Sequence, residues 1–205
     1  MSMSATLTVD LFVSVDGFAG SDGLPGYFGY FGPELGSWIA AESAAAHTVL
    51  MGRRTYEALA SLPAEHQDES WEAMSKLPTV VFSRTLGAVD WPGARLHRQD
   101  AVDEVRRLKT LSDAAPLRTT GSLSLARQLF SAGLVDRLRL LTFPLLAGDA
   151  GREPAFTDID ATELQLTDTR VLDGRIQLAD YRPTKHDIPR GTEQREPAPG
   201  QYPRM

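Results

Sequence analysis

Val49-Leu50-Met51-Gly52-Arg53-Arg54-Thr55-Tyr56-Glu57 runs an apolar strand into a glycine turn, two arginines and a threonine that opens a helix. The apolar run fits a buried strand, and Gly52 lets the backbone come close to a ligand. The helix start leaves unpaired N–H groups under a partial positive charge, which suits a phosphate. Arginines on a first helical turn oppose the helix dipole, so Arg53 and Arg54 call for a compensating anion. Weaker versions of the pattern stand at Val80-Val81-Phe82-Ser83-Arg84-Thr85 and at Leu117-Arg118-Thr119-Thr120-Gly121-Ser122-Leu123-Ser124. Three such strand ends on one chain imply one long polyphosphate ligand.

Working outward, apolar runs rich in β-formers lie near residues 6–13, 48–51, 78–82, 117–120, 138–143, 164–171 and 175–181. Helical spacing of apolar residues marks 34–46, around Trp38 and Ile39, then 101–111 and 122–132. Strand and helix alternate as far as residue 143, which predicts a single α/β domain on a mostly parallel sheet flanked by helices. Asp173-Gly174 between the last two runs is a two-residue hairpin signal, so the sheet should end in an antiparallel pair. The domain should fill residues 1–182, and 183–205, rich in proline and charge, should form a disordered tail.

The 205 residues, 42% hydrophobic and 23% charged, suit one full core. A net charge of −6 argues against a nucleic-acid surface, so the arginines at the strand ends are a local exception. Without cysteine there is no disulfide, thiol nucleophile or cysteine-ligated metal. His47, His66, His97 and His186 lack ligand spacing, so no metal site is expected. The opening Met-Ser-Met-Ser-Ala-Thr lacks the basic start and apolar run of a signal peptide. No stretch reaches the roughly 20 apolar residues of a membrane helix, and a cytoplasmic protein is expected. The chain contains neither G-x-G-x-x-G nor a G-x-x-x-x-G-K-[ST] loop, and Gly121-Ser122-Leu123-Ser124-Leu125 is not a G-x-S-x-G elbow.

Four further marks complete the pattern: Ser14-Val15-Asp16-Gly17-Phe18-Ala19, Val81-Phe82-Ser83-Arg84-Thr85-Leu86, Gly133-Leu134-Val135-Asp136-Arg137-Leu138, and Pro144-Leu145-Leu146-Ala147-Gly148. In order and spacing, these and the segments above resemble the dihydrofolate reductase-like fold, in the branch containing the reductase C-terminal domain of riboflavin biosynthesis. The likeness spans about residues 5–182. It implies NADPH as cofactor, with Gly52, Arg53, Arg54 and Thr55 at the 2′-phosphate and pyrophosphate, and Ser83 and Arg84 at the adenosine end. Gly121, Ser122 and Leu123 would meet the pyrophosphate, and Phe12, Val13 and Ala19 would lie beside the nicotinamide. The residue chemistry agrees, because a guanidinium suits bidentate phosphate recognition and an arginine near the adenosine favours NADP over NAD.

The activity implied is hydride transfer to a small heterocyclic or carbonyl-bearing substrate, in a homodimer. The rival readings are a nucleotide-binding regulatory protein without turnover and a pterin or folate reductase. Folate-reducing members of the family place a carboxylate on the first helix, and their spacing lands here near Gly36, which has no proton to give. Glu34 and Asp16 are the candidate acids, although Asp16 before Gly17 also reads as a turn residue. The aromatic loop Gly26-Tyr27-Phe28-Gly29-Tyr30-Phe31 would either line the substrate pocket or pad a dimer interface.

Overall fold

A computed structural model describes residues 4–63, 67, 69–111 and 115–184. The strands are β1 (Leu7–Ser14), β2 (Phe18–Ser21), β3 (Thr48–Gly52), β4 (Thr79–Phe82), β5 (Ala94–His97), β6 (Leu117–Thr119), β7 (Arg137–Phe143), β8 (Gly151–Pro154), β9 (Leu164–Leu172) and β10 (Ile176–Pro183). The helices are α1 (Pro33–Ala44), α2 (Arg53–Ala60), α3 (Glu69–Lys76), α4 (Ala101–Lys109) and α5 (Leu123–Ser131). Eight strands form one sheet in the order β5-β4-β3-β6-β1-β7-β10-β9. Neighbours from β5 to β7 pair in parallel, and β10 runs antiparallel to both β7 and β9. Strands β2 and β8 make a separate antiparallel ribbon. The expected α/β domain, with its mostly parallel sheet and antiparallel end, is what the chain forms.

Alternation along β1 builds two layers, because successive side chains leave opposite faces of a strand. Leu7, Val9, Leu11 and Val13 are buried with Val105 of α4 and Leu125 and Leu129 of α5. The other face meets α1, where Leu35 and Trp38 pack with Leu141, Phe143, Ile176 and Leu178, and Phe12 closes the cluster. A third cluster seats Tyr56 of α2 and Trp91 against Val49, Met51 and Val81.

Beneath α1 that second face of β1 also carries Asp10, which is 4% exposed. Arg139 grips it through two hydrogen bonds of 2.6 and 2.9 Å, and Arg118 donates a third. Glu42 of α1 completes the group, 2.5 Å from Arg139 and 3.3 Å from Arg118, and the Arg139 guanidinium lies 4.9 Å from the centre of the Trp38 ring. Burial opposes the Arg139 charge, but the hydrogen bonds and charges of Asp10 and Glu42 outweigh it and raise its pKa.

Helix α1 begins at Pro33 with no capping side chain of its own. Asp173 of the β9–β10 turn supplies the cap, accepting from the N–H groups of Glu34 (2.9 Å) and Leu35 (3.1 Å), and the Glu34 carboxylate accepts from Asp173 N–H in return. Gly32 makes room, since a Cβ there would stand 2.3 Å from the Asp173 carboxyl carbon. In that turn Asp173 and Gly174 both have positive φ, 51° and 65°, as a type I′ turn requires. The ladder opens with Leu172 opposite Ile176, so the connection is three residues long and not the two expected.

The strand expectations fit closely, and α2 starts two residues before Thr55, at Arg53. Strands β2, β5 and β8 and helix α3 are additions. Pro183 is still paired in β10, opposite Leu164, so the sheet passes the expected boundary at 182; the rest of the expected tail, 185–205, lies outside the described residues. His66 and His186 lie there too. Among the described residues no helix is long and apolar enough to cross a membrane.

Candidate functional site

Strand β6 is three residues long and pairs with β1 only through Leu117 and Arg118, opposite Leu7 and Thr8. Its neighbours β1 and β3 continue to Ser14 and Gly52, so a slot opens between them beyond Thr119. A cavity of about 1260 Å³ begins there, with Asp10, Leu11 and Phe12 on its β1 wall. That is more than the roughly 300–1,000 Å³ of a pocket for one small ligand. Its place, at the carboxyl ends of parallel strands, is where open α/β sheets take ligands.

All three strand ends singled out in the sequence border this cavity: Gly52 to Thr55, Ser83 to Thr85, and Gly121 to Leu123. The first and third are tied together. Ser122 Oγ accepts from Gly52 N–H at 2.6 Å and lies 2.8 Å from Thr55 Oγ1. This requires positive φ at two successive residues, Gly121 (58°) and Ser122 (62°). A Cβ on Gly121 would also come within 3.0 Å of the Thr55 side chain. Neither α2 nor α5 has a side-chain cap or an acidic residue in its first turn, whereas α4 is capped by Asp100. Two open helix N-termini therefore face the cavity. Arg53 pairs with Glu57 at 2.9 Å, while Arg54 and Arg84 are exposed and unpaired among the described residues. The free positive charge at these strand ends thus sits on Arg54 and Arg84.

Phe12 and Ala19 line the cavity. Val13 does not: it is 2% exposed and packs in the layer beneath α4 and α5, because its neighbour Phe12 takes the opposite face of β1. The two candidate acids are also elsewhere. Glu34 is engaged at the Asp173 turn. Asp16 accepts hydrogen bonds from Ser14 Oγ (2.6 Å), Ala147 N–H (3.0 Å) and Gly148 N–H (2.8 Å), clamping the end of β1 to the 147–148 loop. Those bonds, Ser14 first, lower its pKa to about 2, leaving no proton to donate near neutrality. A depressed carboxyl stabilises the fold above its unfolded pKa and loses that contribution as pH falls through the folded value. Asp16→Asn should therefore lower the melting temperature at pH 7 and match wild type near pH 2; calorimetry at both values checks this.

Of the aromatic loop only Phe28 is buried, while Tyr27 and Phe31 are exposed. Phe28 is buried against Phe143 (5.5 Å between ring centres), and Tyr27 meets Phe12 edge-on at 5.4 Å; of the loop, Gly26 alone reaches the cavity wall. Residues the sequence reading passed over also line the cavity: Gln99, Arg127, Glu153 and Thr157 among them. Arg127 stands one helical turn after Leu123, and that spacing was a usable signal. Glu153 offered none, since only the pairing of β8 with β2 carries it to the cavity.

Solved structures share this fold. A putative riboflavin biosynthesis protein from a Shewanella species is 17% identical with a TM-score of 0.66, over 88% of this chain and 99% of that one. A pyrimidine reductase-like protein from Corynebacterium diphtheriae is 14% identical with a TM-score of 0.63, over 89% and 93%. RibD of Acinetobacter baumannii gives 15% and 0.66, with this chain spanning 59% of its length. These likenesses establish the fold. In sequence, the uncharacterized protein YyaP of Bacillus subtilis is 26% identical over 138 residues, 64% of this chain and 71% of that protein. Residues 5–178 match the RibD C-terminal domain, and the chain belongs to that family.

Proposed function

We propose that this protein is an NADPH-dependent reductase acting on a small heterocyclic or carbonyl-bearing substrate, cytoplasmic and homodimeric. The observation that carries the reading is the convergence of three strand ends on one cavity, with Arg54 and Arg84 unpaired beside two open helix N-termini. In this reading Arg54 and Arg84 hold the 2′-phosphate end. The first N–H groups of α2 and α5, tied by Ser122, hold the pyrophosphate. The β1 edge from Asp10 to Phe12 offers backbone groups at the reacting end, and Phe12 and Ala19 exclude water there. The bound dinucleotide supplies the hydride; the protein binds, orients and dries the site. Leu164, Leu166 and Val171, exposed apolar residues on the edge strand β9, support a homodimer.

Replacing Arg54 or Arg84 by Ala should weaken NADPH binding by about 1.5–3 kcal/mol, the range for hydrogen bonds to charged groups, and change NADH binding far less. Fluorescence titration of both nucleotides checks it. Equal losses for the two would show that the arginines do not read the 2′-phosphate. NADPH binding without oxidation by any of a panel of carbonyl, pterin and aminopyrimidine compounds would favour the regulatory reading instead.

A further inference from the structure

His47 is 7% exposed, in the short connection between α1, which ends at Ala44, and β3, which begins at Thr48. Its Nδ1 stands 2.6 Å from the carbonyl oxygen of Ala45. A carbonyl only accepts, so Nδ1 carries a hydrogen and Nε2 is the nitrogen to which a further proton adds. The contact folds the ring back onto the end of α1, because Ala45 follows the last residue of that helix. On its other side the connection is anchored by Thr48 N–H, which donates to the Pro116 carbonyl at 2.8 Å.

The charges acting on the ring come from three elements: Arg118 of β6, Asp10 of β1 and Glu42 of α1. Arg139 of β7 completes the group, 2.5 Å from Glu42 and bonded twice to Asp10. Two carboxylates and two guanidinium groups balance, so an uncharged ring leaves the space beneath α1 neutral. A fifth charge there has no partner of its own. Burial and the Arg118 guanidinium hold the His47 pKa below its ordinary 6.5, against the Ala45 carbonyl and the two carboxylates, which favour the charged ring. Glu42 is the most exposed of the four charged side chains, and hence the freest to move. Trp38, one helical turn before it, lies 4.9 Å from the Arg139 guanidinium and 6.3 Å from the ring of Phe12, which lines the cavity. The end of α1 is thereby linked to the cavity wall.

We propose that His47 is a pH-sensitive latch on α1. Uncharged, it packs at the end of the helix; on gaining a proton it leaves that place, draws Glu42 away from Arg139 and Arg118, and loosens Trp38 behind the cavity wall. The latch works whichever ligand the cavity takes. A group whose folded pKa is depressed contributes stability that is complete above its unfolded value, here 6.5, and is lost as pH falls from there through the folded value. Release of the ring takes up one proton, which shifts the closed-to-open balance by at most about tenfold per pH unit within that window.

The test follows the full chain from about pH 7.5 to about pH 5 by NMR of the histidine rings and by amide hydrogen exchange. His47→Gln is the comparison, since it keeps a side-chain N–H for the Ala45 carbonyl and cannot take up a proton. In wild type the His47 ring should titrate below 6.5, and the protection factors of the α1 amides from Trp38 to Ala44 should fall by about tenfold between about pH 6.5 and 5. Those of α4 should hold within about twofold, and in His47→Gln both helices should do so. Titration of His47 at 6.5 or above, or a loss at α1 that is equal in wild type and His47→Gln, overturns the proposal. So does a loss that α1 and α4 share, which would mark general unfolding. If His47→Gln does not fold, wild type alone decides: the ring titration and the loss at α1 must share one midpoint, and separate midpoints refute the latch.

Discussion

Asp10→Ala is expected to lower the stability of the fold by about 3–5 kcal/mol, the usual cost of leaving buried charge without its partner. Arg139 is as buried as Asp10, at 4% exposure each, and Glu42 alone would remain to face both guanidinium groups. At roughly 2–4 °C per kcal/mol for a chain of this size, the melting temperature should fall by about 6–20 °C. Urea unfolding of Asp10→Ala beside Asp10→Asn gives the measurement. A loss below about 1 kcal/mol would put these charges in the class of surface ion pairs and refute the buried network.

Dihydrofolate is expected to be a poor substrate despite the shared fold. Reducing a pterin ring needs a proton at the neighbouring nitrogen, and a positioned acid contributes about 10²–10⁴-fold. The acids of α1 are already engaged, Glu34 by Asp173 N–H and Glu42 by Arg139 and Arg118. Gly36 has no acid to offer and faces the Phe31 ring, 3.3 Å from where a Cβ would stand. The barrier should stay higher by about 3–5 kcal/mol than in an acid-assisted reductase, since each 1.36 kcal/mol is tenfold in rate. Steady-state NADPH oxidation with dihydrofolate is the assay. A turnover of several per second that Glu34→Gln abolishes would refute the expectation and make Glu34 the donor.

The sheet and the cationic cavity were legible because their signals are local. Val49 to Met51 and Val80 to Phe82 are continuous apolar runs, as strands covered on both faces should be, and each arginine or glycine that matters follows its strand directly. What escaped depends on pairing across the sequence. Phe18–Ser21 and Gly151–Pro154 have no alternating pattern and become strands only by meeting each other. Asp10 in an apolar run looks out of place until Arg118 and Arg139, from two neighbouring strands, are seen around it. Asp16 and Glu34 were plausible acids by position in the chain, but each is the acceptor for a backbone amide more than 130 residues away, and no local pattern announces such a clamp. Val13 was misplaced by a single residue, which on a strand is the difference between the two faces.

The brevity of β6 has a mechanical consequence. Past Thr119 the β1 edge lacks its inner neighbour, so the middle of the sheet carries backbone groups exposed in the way usually confined to an outermost strand. A molecule lying in that slot and bonding to the β1 edge does the work of the missing strand residues, and its binding energy goes partly into zipping the sheet shut. The amides of β1 near Leu11 are thus the part of the central sheet most responsive to occupancy, exchanging with solvent when the slot is empty and quiet when it is filled.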